Sequence, residues 1–452
     1  MSIVEKYKKF LDEIKNNNSP IILWAIASDE FLHPCVTDIS VVFIKNISNK
    51  KTYYLTFNHP DLVSFINKVD FINDLHELKV NKWVFDKKSF IQLLPVKNLF
   101  DINLFTHLQN GKVIEKEIYQ TSAHRFIYRG KREYGDLNNV VPLLKHKEIF
   151  EKMCDEFLNI DFHLVDVEDG FKKENEVVIE SLAELESNGI YVNAECFRKY
   201  FNAKIYPNGM VYSQYNFYTN TGRPSNHFDN VNYAALNKDN GVRKCFISRH
   251  GKDGVMILID YSAFHPRIIS NIVNFPMGIN EDIYKYLGEI YFHRNITEYD
   301  MEEIKSITMR QLYGGVEEKY KGIKYFSSLK KFIDDNWIFF NKYGYVLTPI
   351  FARKIIDKHL KDANPAKLFN YILQATETEV AMSAVRMVNE YLRNKKTKAV
   401  LYTYDSLLFD FHKNDGSKVL SDIMNIMMIG KRFPIKVYKG DSYDSIIQIY
   451  PK

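Results

Sequence analysis

The chain is expected to be a mixed α/β (α+β) protein of two or three domains, and three observations predict this. Its 452 residues, at roughly 150 per domain, suffice for more than one apolar core. Hydrophobic residues make up 46% and charged residues 26%, globular proportions that argue against disorder and fibrous repeats. Short β-branched runs alternate with helical patterns, and two strongly apolar stretches, VMILIDY at 255–261 and AVLYTYDSLLFDF at 399–411, each meet an aspartate.

In chain order, MSIVEKYKKFLDEIKNNNSP spaces Ile3, Tyr7, Phe10, Leu11 and Ile14 along one helical face and carries both charge signs, unlike a signal peptide. Residues 20 to about 110 alternate PIILWAIA, ISVVFI and TYYLTF with helical stretches, which predicts an α/β domain over 1–111. Residues 112–175 are charged and mostly helical, clearest in VPLLKHKEIFEKMCDEFLNI, and end in the charged loop DVEDGFKKEN, so they are expected to be a helical connector. The remainder, 176–452, holds the two apolar strands. Cys35, Cys154, Cys196 and Cys245 form no C-x-x-C pair, so neither a zinc site nor a disulfide is expected, and a reducing, intracellular, cytoplasmic setting follows. No apolar run approaches ~20 residues, so no membrane partner is expected. Sixty-one Lys+Arg against 56 Asp+Glu allows nucleic acid as a partner without establishing it, and 14% aromatic residues suits large cores as well as base stacking.

Burying a carboxylate beside an apolar strand is costly unless a cation neutralises it. VMILI runs straight into Asp260, and VLYTY into Asp405 with a second apolar run after it, the pattern of a hairpin presenting an acid. Two carboxylates from separate strands are what a divalent-cation site for phosphoryl transfer needs. Spacing alone favours two strand-end aspartates that cap turns, so the metal-site reading needs further support.

Several further segments bear on that choice: LAELESNGIYVNA (182–194), NTGRPSNHFDNVNYAALNKDNGVRKCFI (220–247), D-Y-S-x-x-x-x-R at 260–267, and K-x-x-x-x-x-x-x-Y-G at 305–314. They are followed by G-Y-V-x-T at 344–348, N-x-x-x-Q at 370–374, Tyr404-Asp405, and FPIKVYKGDSYDSI near the C-terminus. In this order the segments resemble family A DNA polymerases, the class of bacterial DNA polymerase I, over ~176–452, with a weaker match over ~20–110. The resemblance implies a right-hand polymerase palm (about 200–274 and 346–452) and fingers (about 275–345), preceded by a ribonuclease-H-like exonuclease-type domain. It implies a DNA-directed DNA polymerase acting on primed DNA template and dNTPs through two Mg²⁺ ions, for which Mn²⁺ can substitute. Asp260, Asp405 and the main-chain carbonyl of Tyr261 would hold the metals. Lys305, Met309 and Tyr313, at i, i+4 and i+8 on one helical face, would cover the nucleotide, with Lys305 on the triphosphate and Tyr313 by the sugar and base. Arg223, Asn370, Gln374 and Tyr404 would contact DNA, the first three on its minor-groove side. A processivity factor, helicase or primase are candidate partners, and a compact, divergent enzyme of this kind suits a phage or plasmid.

The chain also departs from the pattern. Where the family has a glutamate that blocks a ribose 2′-hydroxyl, this chain has His265, and Met309 and Ser406 resemble single-subunit RNA polymerases, so acceptance of ribonucleotides is the alternative reading. A non-catalytic nucleic-acid-binding scaffold is a further one. Two expected triphosphate contacts align with Tyr284 and Met301. Little of a thumb fits between Asn193 and Val211, which predicts distributive synthesis unless another segment, such as the basic stretch 121–150 with His124, Arg125, Arg129, Lys131 and Arg132, grips the duplex. In the N-terminal domain, KWVFDKKSF and NLFDINLF resemble the proofreading nuclease, yet Ile26 and Ser28 stand where it carries two acids. Asp86 alone cannot hold two ions, so a degenerate domain without proofreading is expected.

Overall fold

A computed structural model describes residues 3–59, 61–62, 66–120, 141–160 and 168–451. The chain divides into two compact units, Met1–Ala183 and Glu184–Lys452. His124, Arg125, Arg129, Lys131 and Arg132, expected to grip the duplex, lie outside the described residues.

The first unit is a helix-flanked mixed sheet. Its elements are α1 (Ile3–Asn17), β1 (Ile21–Ala27), β2 (Ile39–Asn46), β3 (Thr52–Thr56), α2 (Lys68–Glu77), β4 (Lys82–Val84), α3 (Lys87–Leu93), β5 (Leu99–Asp101), α4 (Ile102–Asn110) and α5 (Leu143–Leu158). The strand order is β3-β2-β1-β4-β5, with β1 antiparallel to β2 and parallel to β4, a mixed sheet as the α/β reading expected. The runs IILWAIA and ISVVFIKN are apolar along both faces because helices cover both. Tyr7, Phe10, Leu11 and Ile14 of α1 recur at the 3–4 residue spacing of one helical stripe and are buried in a cluster with Leu23, Val42, Phe71 and Leu75. On α5, Phe150 stacks on Trp24 of β1, and Glu151 pairs with Lys45 of β2 at 2.5 Å. The amphipathic stretch read as a connector thus packs into the first unit.

The second unit is built on a five-stranded antiparallel sheet. Its principal elements are β6 (Gly254–Tyr261), α6 (Phe264–Ile272), α7 (Ile283–Phe292), α8 (Met301–Gly314), α9 (Lys324–Tyr343), α10 (Pro365–Leu392), β7 (Lys398–Thr403), β8 (Ser406–His412), α11 (Gly416–Met427), β9 (Ile435–Gly440) and β10 (Ile447–Tyr450). The sheet order is β7-β8-β6-β9-β10, which places the first apolar strand in the centre and the second, split into β7 and β8, beside it. Met256, Leu401 and Leu408 join Phe197, Phe246 and Tyr443 in its core. The 28-residue α10 buries an apolar face against α6, α8 and α9, where Leu368 and Ile372 meet Phe340, Val346 and Ile355. Between Asn193 and Val211 the chain forms a single seven-residue helix, Ala194–Tyr200, and a two-residue strand.

One expectation is corrected. Cys196 and Cys245, 49 positions apart, form a disulfide. Asn193, which caps the 194–200 helix, donates its main-chain N–H to the Cys245 carbonyl at 2.8 Å and draws the two cysteines together, a tertiary contact that cysteine spacing cannot reveal. The reducing compartment inferred from that spacing loses its support. Among the described residues no helix is long and apolar enough to cross a membrane.

Candidate active site

Strand β6 pairs on both sides, so Asp260 lies opposite Ser406 of β8 and opposite Lys436 of β9. The expected hairpin is present: β7 and β8 are joined by the two residues Tyr404 and Asp405. The Tyr404 backbone has φ 62, a left-handed conformation that costs a non-glycine residue energy and recurs at functional turns. Asp405 is anchored at both backbone groups: its N–H donates to the Thr403 carbonyl at 2.8 Å, and its carbonyl accepts from the Tyr261 N–H at 2.9 Å. The hydroxyls of Thr403 and Ser406 lie 2.7 Å apart across the turn. Ser406 therefore serves the hairpin.

The two acids feel each other. Burial first, and then the Asp405 charge, push the Asp260 carboxyl up to about 6, against the opposing pull of Lys436 and Lys238. Asp405 is also held above the ordinary aspartate range, chiefly by partial burial and further by Glu377, while its own main-chain hydrogen bond, Arg223 and His265 act in the other direction. Two carboxylates kept together against repulsion fit a divalent cation, which would relieve it. Among the described residues no group of three His, Cys, Asp or Glu side chains is arranged to hold a metal ion. A two-carboxylate site suits Mg²⁺, which commonly takes one or two carboxylates and completes its shell from water and substrate phosphates. The Tyr261 side chain turns into the core, donating its hydroxyl proton to the Met427 carbonyl at 2.8 Å and stacking on Phe264.

Helix α8 carries Lys305, Met309 and Tyr313 as the spacing predicts, following a capping box formed by Thr297 and Asp300. Lys305 is exposed, with its ammonium 5.8 Å from the centre of the Tyr284 ring, and Met309 is half-buried. Two turns further on, the Tyr313 hydroxyl hydrogen-bonds His265 Nδ1. Burial first, and then the Glu377 charge, push the Tyr313 phenol up to about 12. On its other side His265 Nε2 lies 3.3 Å from a carboxylate oxygen of Glu377. The same oxygen is 2.9 Å from Arg223 Nε, Arg223 Nη2 donates to the second oxygen at 3.3 Å, and the guanidinium lies 3.8 Å from the centre of the Tyr404 ring. Asn370 Nδ2 donates to the Tyr313 carbonyl at 3.3 Å, and Gln374 is half-buried one turn along α10.

Tyr313, His265, Glu377, Arg223 and Tyr404 thus form one continuous network, with Asp405 next to Tyr404 in the turn, Asp260 beside it, and Asn370 at the base of Tyr313. Lys305 and Met309 share the Tyr313 helix without joining that network. Arg223 is positioned by the turn before it, where Gly222 has φ +68 and a Cβ there would meet the Arg353 guanidinium at 2.8 Å. Arg353 itself is 1% exposed and donates to the Thr219 carbonyl at 3.1 Å.

Sequence reasoning missed Glu377, Lys436 and Lys238. The signal for Glu377 was present, since Asn370, Gln374 and Glu377 stand at i, i+4 and i+7 on α10, one helical stripe. Lys436 lay inside the quoted FPIKVYKG segment, but its place opposite Asp260 depends on strand register. For Lys238 no sequence signal is apparent.

In the first unit the residues at the nuclease-like positions make ordinary contacts. Ile26 is buried in β1, and the Ser28 hydroxyl faces that of Thr37 at 3.3 Å. Asp86 caps α3, accepting from the Ser89 N–H and hydroxyl, and Asp101 caps α4 while also accepting from the Lys87 N–H. Nearby Glu115 accepts from Trp24 Nε1 at 2.7 Å, and burial, followed by the Asp86 charge, pushes its carboxyl up to about 8.

No protein-family model matches the chain. It is 24% identical over 289 residues to the DNA polymerase of Bacillus phage SP01, a match that covers 53% of this chain and 31% of that protein. The chain thus spans about a third of the length of this curated relative. Among solved structures it is similar to the POL domain of Pol1 from M. smegmatis in complex with DNA primer-template and dNTP, at TM-score 0.68 and 14% identity, covering 96% of this chain and 98% of that one. At that identity the likeness establishes the fold, and the fold is that of a polymerase palm and fingers.

Proposed function

We propose that this chain is a template-directed nucleotidyltransferase of the family A type that extends a DNA primer with dNTPs. The observation that carries the reading is the pair Asp260, at the end of the central strand β6, and Asp405, in the hairpin turn beside it, next to the Tyr313–His265–Glu377–Arg223 network. Mg²⁺ bound by these two carboxylates would lower the pKa of the primer 3′-hydroxyl and neutralise charge on the triphosphate. The chain's own residues supply position and charge. Exposed Lys305 offers a point charge to the triphosphate, Tyr313 packs by the sugar and base, and Arg223, Asn370 and Gln374 face the minor-groove acceptors common to all base pairs. The primer oxygen then forms the new bond to the α-phosphorus as the bond to pyrophosphate breaks. A single seven-residue helix at 194–200 supports the reading of a minimal thumb and hence distributive synthesis. Ile26 and Ser28 in the first unit, with Asp86 and Asp101 engaged as helix caps, support the reading of a domain without proofreading.

The test is primer extension on a primed DNA template with Mg²⁺, run in parallel with dNTPs and rNTPs, with Asp260→Ala and Asp405→Ala as controls. Extension by dNTPs that both substitutions abolish while leaving duplex binding largely intact is expected. Comparable use of rNTPs would move the assignment to an RNA or primer polymerase, the reading that His265, Met309 and Ser406 favour. Duplex binding without extension in either arm would refute catalysis.

A further inference from the structure

We infer that Glu377 is the residue that sets sugar selection in this site, acting as a positioning group through His265; the inference rests on the polymerase reading above. The imidazole of His265 is hydrogen-bonded by the Tyr313 hydroxyl at Nδ1, and at its other end a Glu377 carboxylate oxygen lies 3.3 Å from Nε2, a close charge contact without hydrogen-bond geometry. A carboxylate facing Nε2 favours the tautomer with its proton there, which leaves Nδ1 to accept from Tyr313. The ring is thereby fixed in orientation between α8, which carries the nucleotide-facing residues, and α10.

The carboxylate that does this is deeply buried, with Glu377 2% exposed. A buried carboxylate is tolerated only with a cation beside it, and Arg223 supplies one at 2.9 Å. Arg223 is in turn stacked over Tyr404, which precedes Asp405. Glu377 therefore ties the residue by the sugar, His265, to the group by the primer terminus, Arg223. The resemblance places a carboxylate at position 265 itself. Here that position holds an imidazole, and the negative charge comes from a different helix one residue further out. The pair His265 and Glu377 fills the same role in two pieces: the imidazole blocks the 2′ position and the carboxylate keeps it from rotating away. A lone histidine could swing aside for a ribose, and one hydrogen-bonded at Nδ1 with a carboxylate 3.3 Å from Nε2 is hindered from doing so.

The experiment measures single-nucleotide incorporation, kcat/KM, for a matched dNTP and rNTP with the wild-type chain, Glu377→Gln, Glu377→Asp, His265→Ala, the double variant His265→Ala/Glu377→Gln, and the exchange His265→Glu/Glu377→Ala. Glu377→Gln is expected to lower the dNTP-over-rNTP ratio at least 10-fold, with most of the change from improved rNTP use. His265→Ala should lower it similarly, and the double variant should stay within about 3-fold of the worse single, because the two side chains act as one device. The exchange should restore the ratio to within about 3-fold of wild type. Equal losses for both sugars on Glu377→Gln, additive losses in the double variant, or no recovery in the exchange would each overturn the inference. If Glu377→Gln loses its thermal transition, the ratio is read on Glu377→Asp and the exchange, with the same outcomes deciding. Wild-type chain that incorporates neither sugar in an Asp405-dependent manner would refute the polymerase reading, a result distinct from a wild-type chain that incorporates nucleotide while its ratio ignores Glu377.

Discussion

Replacing Asp260 with asparagine should stabilise the metal-free protein while destroying its proposed chemistry. In the folded chain this carboxyl is moved from 3.8 to about 6 by burial and by Asp405. A gap of about two pH units is worth at most ~3 kcal/mol, at about 1.4 kcal/mol per unit. Asp260 retains some contact with solvent, so screening brings the expected gain down to about 1–2 kcal/mol. The sign follows from proton counting. Below pH 4 the carboxyl is protonated in both states and asparagine gains nothing. Between pH 4 and 6 the unfolded chain ionises first, so the wild type loses stability relative to the variant, and above pH 6 the whole penalty is present. Calorimetry in EDTA at pH 8 should therefore show the transition of the second unit about 2–6 °C higher for Asp260→Asn, a difference that vanishes near pH 4. Millimolar Mg²⁺ at pH 8 should narrow the gap by stabilising the wild type alone. A gap that is the same at both pH values, or a less stable variant at pH 8, would refute the claim that these two acids repel each other in a partly buried site.

Three further predictions follow from particular residues. Lys305→Ala removes an exposed ammonium that joins no structural network, so steady-state kinetics should show the KM for dNTP rising roughly 10- to 100-fold with primer–template affinity unchanged. Gly222→Ala forces a Cβ into a backbone at φ +68 and against the Arg353 guanidinium, which should cost roughly 1–3 kcal/mol in denaturant unfolding and weaken primer-terminus binding through Arg223. A 5′-labelled single strand incubated with the chain and Mg²⁺ or Mn²⁺ should stay full-length, and metal-dependent shortening from the 3′ end would sink the reading of a first unit without proofreading.

Local pattern determined much of this protein. Buried strands such as β1, β2 and β6 are legible because β-branched runs of five to eight residues have few stable alternatives to a covered sheet, and α1 because Tyr7, Phe10, Leu11 and Ile14 repeat at helical spacing. The hairpin that presents Asp405 and the shared helix of Lys305, Met309 and Tyr313 were legible for the same reason, since each depends on residues close in the chain. What only the tertiary structure decided are the contacts between residues far apart in sequence. Strand register placed Lys436 opposite Asp260, and packing of the 143–158 helix on β1 and β2 drew the presumed connector into the first unit. The approach of a capped helix to the turn at 242–245 joined Cys196 to Cys245, and the meeting of α6, α8 and α10 brought Glu377 between His265 and Arg223. Periodicity reports which face of an element is buried, but the partner that a buried charge finds is set by how whole elements pack, and no window of local sequence contains that information.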